Sequence, residues 1–280
     1  MSVRLTYSIT TDLDEAAIGA ALGILSADER SRHDRLALAR DRRDFAVARA
    51  LLRRSLSEQG DRAPHEWTFT ADPHGKPSLG REDSTRTRLA FNVSHTSGLV
   101  ACAMARDVDI GVDVERLDRR SNALALATRF FSSREAASLA RCEPAERQKR
   151  FIETWTLKEA FVKAIGSGLQ CPLHEFSFTF GDPPELAFES TRRTRRALWW
   201  FALFEPSDGY RMAIAVGADS EEPPTLHVRD DPAGSRAAAL APLRVAITRT
   251  VGPTSPLDAD RSTIGELPLA EHGRTTTFGA

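Results

Sequence analysis

Asp113 and Glu115 lie two residues apart in the segment Ile110-Gly-Val-Asp-Val-Glu115. On a strand that spacing turns both carboxylates to one face. Adjacent carboxylates repel unless a cation sits between them. A hard divalent ion such as Mg²⁺ takes oxygen ligands from few carboxylates plus substrate phosphate. The competing reading is an exposed acidic strand edge. Gly111 within the segment fits a close backbone approach, although a turn or bulge uses glycine as well. A second charged set lies in Trp155-Thr-Leu-Lys-Glu-Ala-Phe-Val-Lys163. Trp155, Glu159 and Lys163 are spaced i, i+4, so on a helix they share one side. Most Glu–Lys pairs at this spacing are surface salt bridges. Here the neighbours Phe151, Ile152, Leu157, Phe161, Val162 and Ile165 are apolar. The chain has only four lysines, Lys76, Lys149, Lys158 and Lys163, and two fall in this one stretch. Glu159 is therefore a candidate third carboxylate for a cation shared with Asp113 and Glu115.

Upstream, Asn92-Val-Ser-His95 ends an apolar run with a hydroxyl and an imidazole. A Ser–His nucleophile pair is one reading. Neighbours on a strand point to opposite faces, and no nucleophile-elbow pattern surrounds Ser94. Phosphate donation by Ser94 and His95 is the better reading, beside a purely structural one. Lys76, isolated in a lysine-poor chain on the turn Asp72–Pro77, is a further anion-site candidate. Arginines crowd the 27–59 region, among them Arg32, Arg43 and Arg49. Most serve as a solvated surface, and an anion site needs only two or three.

The elements that must position these residues are legible in outline. Val3 to Ile9 reads as a strand, and a short helix follows from Asp12 to Leu25. Ser26 with Glu29 three residues on forms a capping box for a helix reaching Gln59, with a break expected near Arg40. Glu66–Thr70, Leu89–Ser94, Leu99–Ala105 and Asp109–Glu115 read as strands, the last three as an antiparallel meander. Two helices occupy 121–141. The helix bearing Glu159 and Lys163 runs from about Glu146 to Ile165 and stops at Gly166-Ser-Gly168. Strands follow at 176–180, 186–189, 198–204 and 210–216. The order strand–helices–strands occurs twice, which implies an α+β fold of two similar halves, 1–106 and 107–217. Residues 218–280, with scattered Gly and Pro and little apolar periodicity, are expected to be largely disordered, with at most one weak element over Ala237–Thr248.

Whole-chain properties narrow the function class. At 280 residues and 41% hydrophobic content the chain can bury a substantial core. A net charge of -1 gives no reason to expect nucleic acid as partner. No apolar run is long enough to span a bilayer, and acidic residues fall where a signal peptide would be apolar. Three dispersed cysteines without CxxC pairing read as reduced thiols of a cytoplasmic protein.

Taken together, the motifs resemble the 4'-phosphopantetheinyl transferase superfamily in its long, Sfp-type branch. Its paired signature is similar to Gly111-Val-Asp-Val-Glu115 and Trp155-Thr-Leu-Lys-Glu-Ala-Phe-Val-Lys163. Its upstream motifs are similar to Gly75-Lys-Pro77 and Phe91-Asn-Val-Ser-His95. The resemblance spans roughly Ser26 to Phe180 and implies two subdomains related by a pseudo-twofold, with the active site in the cleft between them. It implies transfer of the 4'-phosphopantetheine arm of coenzyme A to a serine of an apo acyl or peptidyl carrier protein. The family's co-product is adenosine 3',5'-bisphosphate. It also implies Mg²⁺ held by Asp113, Glu115 and Glu159, with Lys163 neutralising the pyrophosphate. Ser94, His95 and Lys76 would bind a coenzyme A phosphate, with Arg32, and Arg43 or Arg49, at the nucleotide. Glu159 would act as general base for the carrier serine, directly or through a metal-bound water. Carriers of this class are acidic, so Leu117–Phe131, with Arg116, Arg119, Arg120 and Arg129, is the expected docking surface, and Leu124, Leu126 and Phe130 its apolar contacts. A monomer is expected. The alternative is a non-catalytic coenzyme A or carrier-binding relative; retention of Asp113, Glu159 and Lys163 speaks against it.

Overall fold

Strand alternation and helix periodicity assemble into four layers, with two sheets back to back and one long helix on each outer face. The computed structural model describes residues 1–71, 77–119, 121–168, 171–181, 185–220, 222–231 and 244–249. In chain order the elements are β1 (Ser2–Ile9), α1 (Glu15–Ile24), α2 (Ala27–Arg35), α3 (Ala39–Gln59), β2 (Phe69–Ala71) and β3 (Pro77–Leu79). Then come α4 (Arg81–Thr87), β4 (Leu89–Thr96), β5 (Leu99–Arg106), β6 (Asp109–Arg116), α5 (Ala123–Phe130), α6 (Ser133–Arg141) and α7 (Pro144–Ile165). The chain closes with β7 (Phe176–Phe180), β8 (Leu186–Ser190), β9 (Leu198–Phe204), β10 (Tyr210–Ala218), β11 (Thr225–Asp230) and β12 (Arg244–Arg249).

One sheet has the order β11-β1-β5-β4 and the other β12-β9-β10-β6. Within them β1-β5-β4 and β6-β10-β9 repeat one plan, each with its long helix, α3 or α7, inserted after its first strand. The fold is thus α+β with two similar halves, as expected. Alternation explains the layering. Leu99, Ala101, Ala103 and Ala105 of β5 join Val112, Ile214 and Trp200 in the core between the sheets. Val100, Cys102 and Met104 face α3 and its Val47, Leu51 and Leu52. Ala213 and Ala215 face α7 and its Leu157 and Phe161. Each buried Leu or Phe side chain contributes about 1.5–3 kcal/mol. Cys102, Cys142 and Cys171 are unbridged.

Several sequence expectations need correction. The helical region 27–59 breaks at Leu36–Leu38, just before Arg40, because α2 is capped at Leu36 and α3 restarts from Leu38. The strand expected at Glu66–Thr70 is a 3-10 turn at Pro64–Glu66 followed by Phe69–Ala71. Helix α4 was not legible: Arg-Glu-Asp-Ser-Thr-Arg-Thr has no apolar period. β4 and β5 pair as expected, but β6 leaves that sheet and pairs antiparallel with β10. The crossing between sheets occurs at Asp107–Val108, where Asp107 takes φ 60°.

The largest correction concerns residues 218–280. β11 pairs in parallel with β1 over six residues, and β12 pairs antiparallel with β9 over six. Side chains tie β11 down as well. Arg229 Nη2 reaches both carboxylate oxygens of Glu58 at 2.8 and 2.9 Å. Asp231, buried, lies 3.3 Å from Arg54 Nη2 and donates its N–H to the Tyr7 carbonyl at 2.8 Å. Composition misread this segment because its strands are short and lie on sheet edges, where half the residues remain polar. Residues 250–280 lie outside the described residues. Truncation after Asp219 should therefore destabilise the protein by on the order of 5 kcal/mol: two six-residue ladders give about twelve hydrogen bonds at ~1 kcal/mol each, offset in part by the chain entropy that the released strands regain. Thermal melting checks this. A drop of roughly 10 °C is expected, and an unchanged midpoint would show that the strands add nothing.

Candidate active site

The two charged segments meet because α7 lies unusually close to β6. A Cβ on Gly111 would fall 2.1 Å from the Ala160 carbonyl oxygen and 2.5 Å from the Ala164 nitrogen. Only glycine admits that approach, and it brings the Glu159 and Lys163 side of the helix onto the Asp113 and Glu115 face of the strand. Ile110, Val112 and Val114 turn the other way into the inter-sheet core. Helix α7 is stopped by Gly166 at φ 69°, one turn beyond Lys163.

At the centre, Lys163 Nζ donates to Asp113 Oδ1 at 2.6 Å and to Ser94 Oγ at 2.9 Å. Ser94 Oγ in turn donates to Asp113 Oδ1 at 3.0 Å. These three residues come from α7, β6 and β4. Strands β4 and β6 lie in different sheets, yet the Val112 N–H donates to Asn92 Oδ1 at 2.8 Å across the seam. Asp113 Oδ2 is buried and has no hydrogen-bond partner among the described residues. An orphaned carboxylate oxygen of this kind costs on the order of 1–3 kcal/mol unless something cationic completes it.

Electrostatics bind the outer carboxylates to the same centre. Burial, then repulsion from Asp113, pushes Glu115 up to about 7. Glu159 is pushed up to about 7 by the same two causes in the same order. Burial alone would depress Lys163, but Asp113 and Glu159 outweigh it and its pKa is raised. Arg119 Nη1 donates to Glu115 Oε1 at 2.7 Å and stacks over the Trp155 ring at 5.6 Å. Among the described residues no three His, Cys, Asp or Glu side chains are gathered as a ready metal cage. Magnesium rarely uses such a cage; it takes one or two carboxylates and completes its octahedron with water and substrate phosphate. Asp113, with a free oxygen, and its neighbouring carboxylates fit that pattern of donors.

His95 leaves β4 on the face opposite Ser94, with Val93 beside the α3 cluster. Burial, then the charge of Lys163, lowers its pKa to about 4, and Arg32 adds to this. The imidazole is thus neutral at pH 7, with two cations in its neighbourhood. Arg32 and Arg49 both lie 5.7 Å from the Phe45 ring centre. Burial lowers Arg49 to about 10, against the opposing charge of Glu29, 3.5 Å away. Arg43 Nε lies 3.8 Å from Asp44. Lys76 and Arg120 lie outside the described residues. On the expected docking surface, Arg116 is paired with Asp118 and Arg129 lies 5.0 Å from the Phe130 ring centre. Leu117, Leu124, Leu126 and Phe130 all pack against the core beneath α5.

Sequence reasoning gave Lys158 no role. It is fully buried and donates to the carbonyls of Leu173 at 2.8 Å and Phe176 at 2.6 Å. Its ion-pair partner, 2.9 Å away, is Glu135, the capping-box residue of α6. Glu135 also accepts from the Phe178 N–H at 2.9 Å, so one carboxylate joins α6, α7 and β7. Burial lowers Lys158 to about 8, with Glu135 opposing. Glu135→Ala should cost about 3–5 kcal/mol, because it strands a buried ammonium. The double variant Glu135→Leu with Lys158→Met should recover most of it in a denaturant titration. A single-variant loss below 1 kcal/mol would refute the pairing.

Comparison with known proteins follows the same lines. A family model described as 4'-phosphopantetheinyl transferase superfamily matches residues 109–215. A second, described as 4'-phosphopantetheinyl transferase, N-terminal, matches 14–107. The 4'-phosphopantetheinyl transferase HetI of Nostoc sp. is 32% identical over 222 residues, covering 79% of this chain and 90% of that protein. The putative 4'-phosphopantetheinyl transferase slr0495 of Synechocystis sp. is 35% identical over 162 residues, 58% of this chain and 65% of that one. The 4'-phosphopantetheinyl transferase Sfp of Bacillus subtilis is 27% identical over 195 residues, 70% of this chain and 83% of that one. With one relative matched over nearly its whole length, and two family models meeting end to end, the chain belongs to the 4'-phosphopantetheinyl transferase superfamily.

Proposed function

We propose that the chain transfers the 4'-phosphopantetheine arm of coenzyme A to a serine hydroxyl of an apo carrier protein. The serine oxygen forms a bond to the phosphorus bearing the pantetheine arm. The bond from that phosphorus to the bridging pyrophosphate oxygen breaks, and adenosine 3',5'-bisphosphate leaves. The observation that carries this reading is the Lys163–Asp113–Ser94 triangle, a cation, a carboxylate with a free oxygen and a hydroxyl from three elements. Phosphoryl transfer asks for charge neutralisation and in-line positioning more than for covalent catalysis.

Within this reading Asp113, Glu115 and Glu159 are the candidates for holding Mg²⁺. When bound, the ion would neutralise pyrophosphate charge. A carboxylate bound to Mg²⁺ is a poor base, so ligand and base roles conflict at Glu159. One or two carboxylates suffice for the ion, and Asp113 with Glu115 supply them. Glu159 then keeps its carboxylate for the proton of the carrier serine. Lys163 neutralises the leaving pyrophosphate oxygen, neutral His95 and Arg32 donate to phosphate, and Ser94 does so when its single O–H turns from Asp113. Lys76 and Arg43 remain candidates for the nucleotide end. We further infer that residues 1–106 supply the nucleotide side and 107–217 the metal and catalytic side of one cleft. A cleft built within one chain supports a monomer, and the long two-half form supports carriers of secondary metabolism. Unpaired cysteines support a cytoplasmic setting.

The test is chromatographic release of adenosine 3',5'-bisphosphate from coenzyme A on adding an apo carrier. A carrier with its acceptor serine changed to alanine is the control. Release with the first and none with the second supports the assignment; equal release with both would mean hydrolysis rather than transfer.

A further inference from the structure

The turn that follows Ser94 and His95 is gripped from two sides, and the chemistry above uses neither grip. Ser97 and Gly98 close the hairpin between β4 and β5, with Gly98 at φ +89°. On one side stands Asp44 of α3, 2% exposed. Its Oδ2 accepts from the Gly98 N–H at 3.2 Å, and its Oδ1 accepts from the Thr10 hydroxyl. The Thr10 N–H also donates to the Gly98 carbonyl at 2.8 Å. On the other side Tyr210 donates its hydroxyl to the Ser97 carbonyl at 3.1 Å. The contact is close: a Cβ on Gly98 would sit 2.5 Å from that hydroxyl oxygen.

Tyr210 opens β10, the strand laddered to β6. Tyr210 stands opposite Arg116, Arg211 opposite Glu115 and Ala213 opposite Asp113. Whatever fixes Tyr210 to the turn therefore fixes β4 to the strand that bears the carboxylates. β4 and β6 share no ladder, since they belong to different sheets. On one side of the Ser94–Asp113 contact the seam is pinned by Asn92 on the Val112 N–H. On the other side it is pinned by Tyr210 on Ser97. A neutral hydrogen bond contributes little to global stability, but here it sets the spacing of two groups that one ligand must span.

We propose that Tyr210 is a positioning residue for the phosphates of coenzyme A, its hydroxyl fixing the Ser94–His95 end of β4 against the Asp113–Glu115 face of β6. The inference rests on the coenzyme A reading. Tyr210→Phe removes the bond and keeps the ring. Coenzyme A binding, measured by calorimetry, should weaken about fivefold, the equivalent of one neutral hydrogen bond. KM for coenzyme A should rise by the same factor, with kcat and the melting midpoint held.

A second variant isolates the contact. Gly98→Ala strains the backbone in any background, but only with tyrosine present does its Cβ meet the hydroxyl. Its effect on coenzyme A affinity should therefore be smaller in Tyr210→Phe than in the native protein. Native affinity in Tyr210→Phe overturns the proposal, as does a loss confined to kcat and melting midpoint. If the native protein binds coenzyme A and modifies no carrier, the transferase reading fails, and the calorimetric comparison still decides the role of Tyr210.

Discussion

Asp113→Ala should lower transfer by at least about a thousandfold, the combined loss of a metal ligand and of the anchor for Lys163. Both of its oxygens are committed. Oδ1 receives Lys163 and Ser94, and Oδ2 is the buried oxygen left for a cation. The fold should survive: losing the Lys163 pair costs about 2–3 kcal/mol, but removing Asp113 also relieves the repulsion that, after burial, pushes up Glu115 and Glu159. Asp113→Asn is the sharper companion. It keeps the shape and one carbonyl acceptor for Lys163 and Ser94 while removing the charge, and it should be nearly as inactive. Single-turnover transfer, with circular dichroism to check the fold, measures both. A folded Asp113→Ala protein with native turnover would remove Asp113 from the chemistry.

Lys163→Met should reduce kcat by about a hundredfold to a thousandfold with a smaller change in KM, since its charge matters most as the leaving oxygen gains charge. It also has a readout independent of activity. Lys163 is 24% exposed and pairs with Asp113, 7% exposed. Breaking the pair should cost about 2–3 kcal/mol, less than the ~3–5 kcal/mol typical of a fully buried pair. A divalent ion at Asp113 replaces part of the missing positive charge. Mg²⁺ or Mn²⁺ should therefore raise the melting midpoint of Lys163→Met more than that of the native protein. Lys163→Arg should recover little, because a planar guanidinium does not fill the place of a compact ammonium. Unchanged kcat in Lys163→Met would make the residue structural.

What the sequence made legible follows from how local each signal is. Asp113 and Glu115 on one strand face, and Glu159 and Lys163 on one helix side, are consequences of periodicity within a few residues. Ser26 with Glu29 was readable as a capping box for the same reason, and the capping box is present in α2. The meeting of β6 and α7 depended on Gly111, whose demand for close approach is visible in sequence only as an ambiguity. What stayed hidden is long-range. Nothing local tells β6 to leave β5 and pair with β10. The pairing of Asp44 with Gly98 reaches across 54 residues, and that of Tyr210 with Ser97 across 113. Arg119 on Glu115 was within reach, being four residues on, but an arginine after a strand carries no mark of which carboxylate it will serve. β11 was missed because an edge strand needs half its residues apolar at most, and Thr225-Leu-His-Val-Arg-Asp230 alternates too weakly to stand out; of β12 only a weak element over Ala237–Thr248 was legible.

The measurement that tests the central claim most directly is the intact mass of an apo carrier protein after incubation with this protein, coenzyme A and Mg²⁺, with an EDTA control. Addition of one phosphopantetheine to the carrier, abolished by EDTA, is the result expected if the Lys163–Asp113–Ser94 centre is a metal-assisted phosphoryl-transfer site. An unmodified mass across fatty-acid, polyketide and nonribosomal-peptide carriers, from a protein that still binds coenzyme A, would contradict it and leave a coenzyme A-binding relative in place of an enzyme.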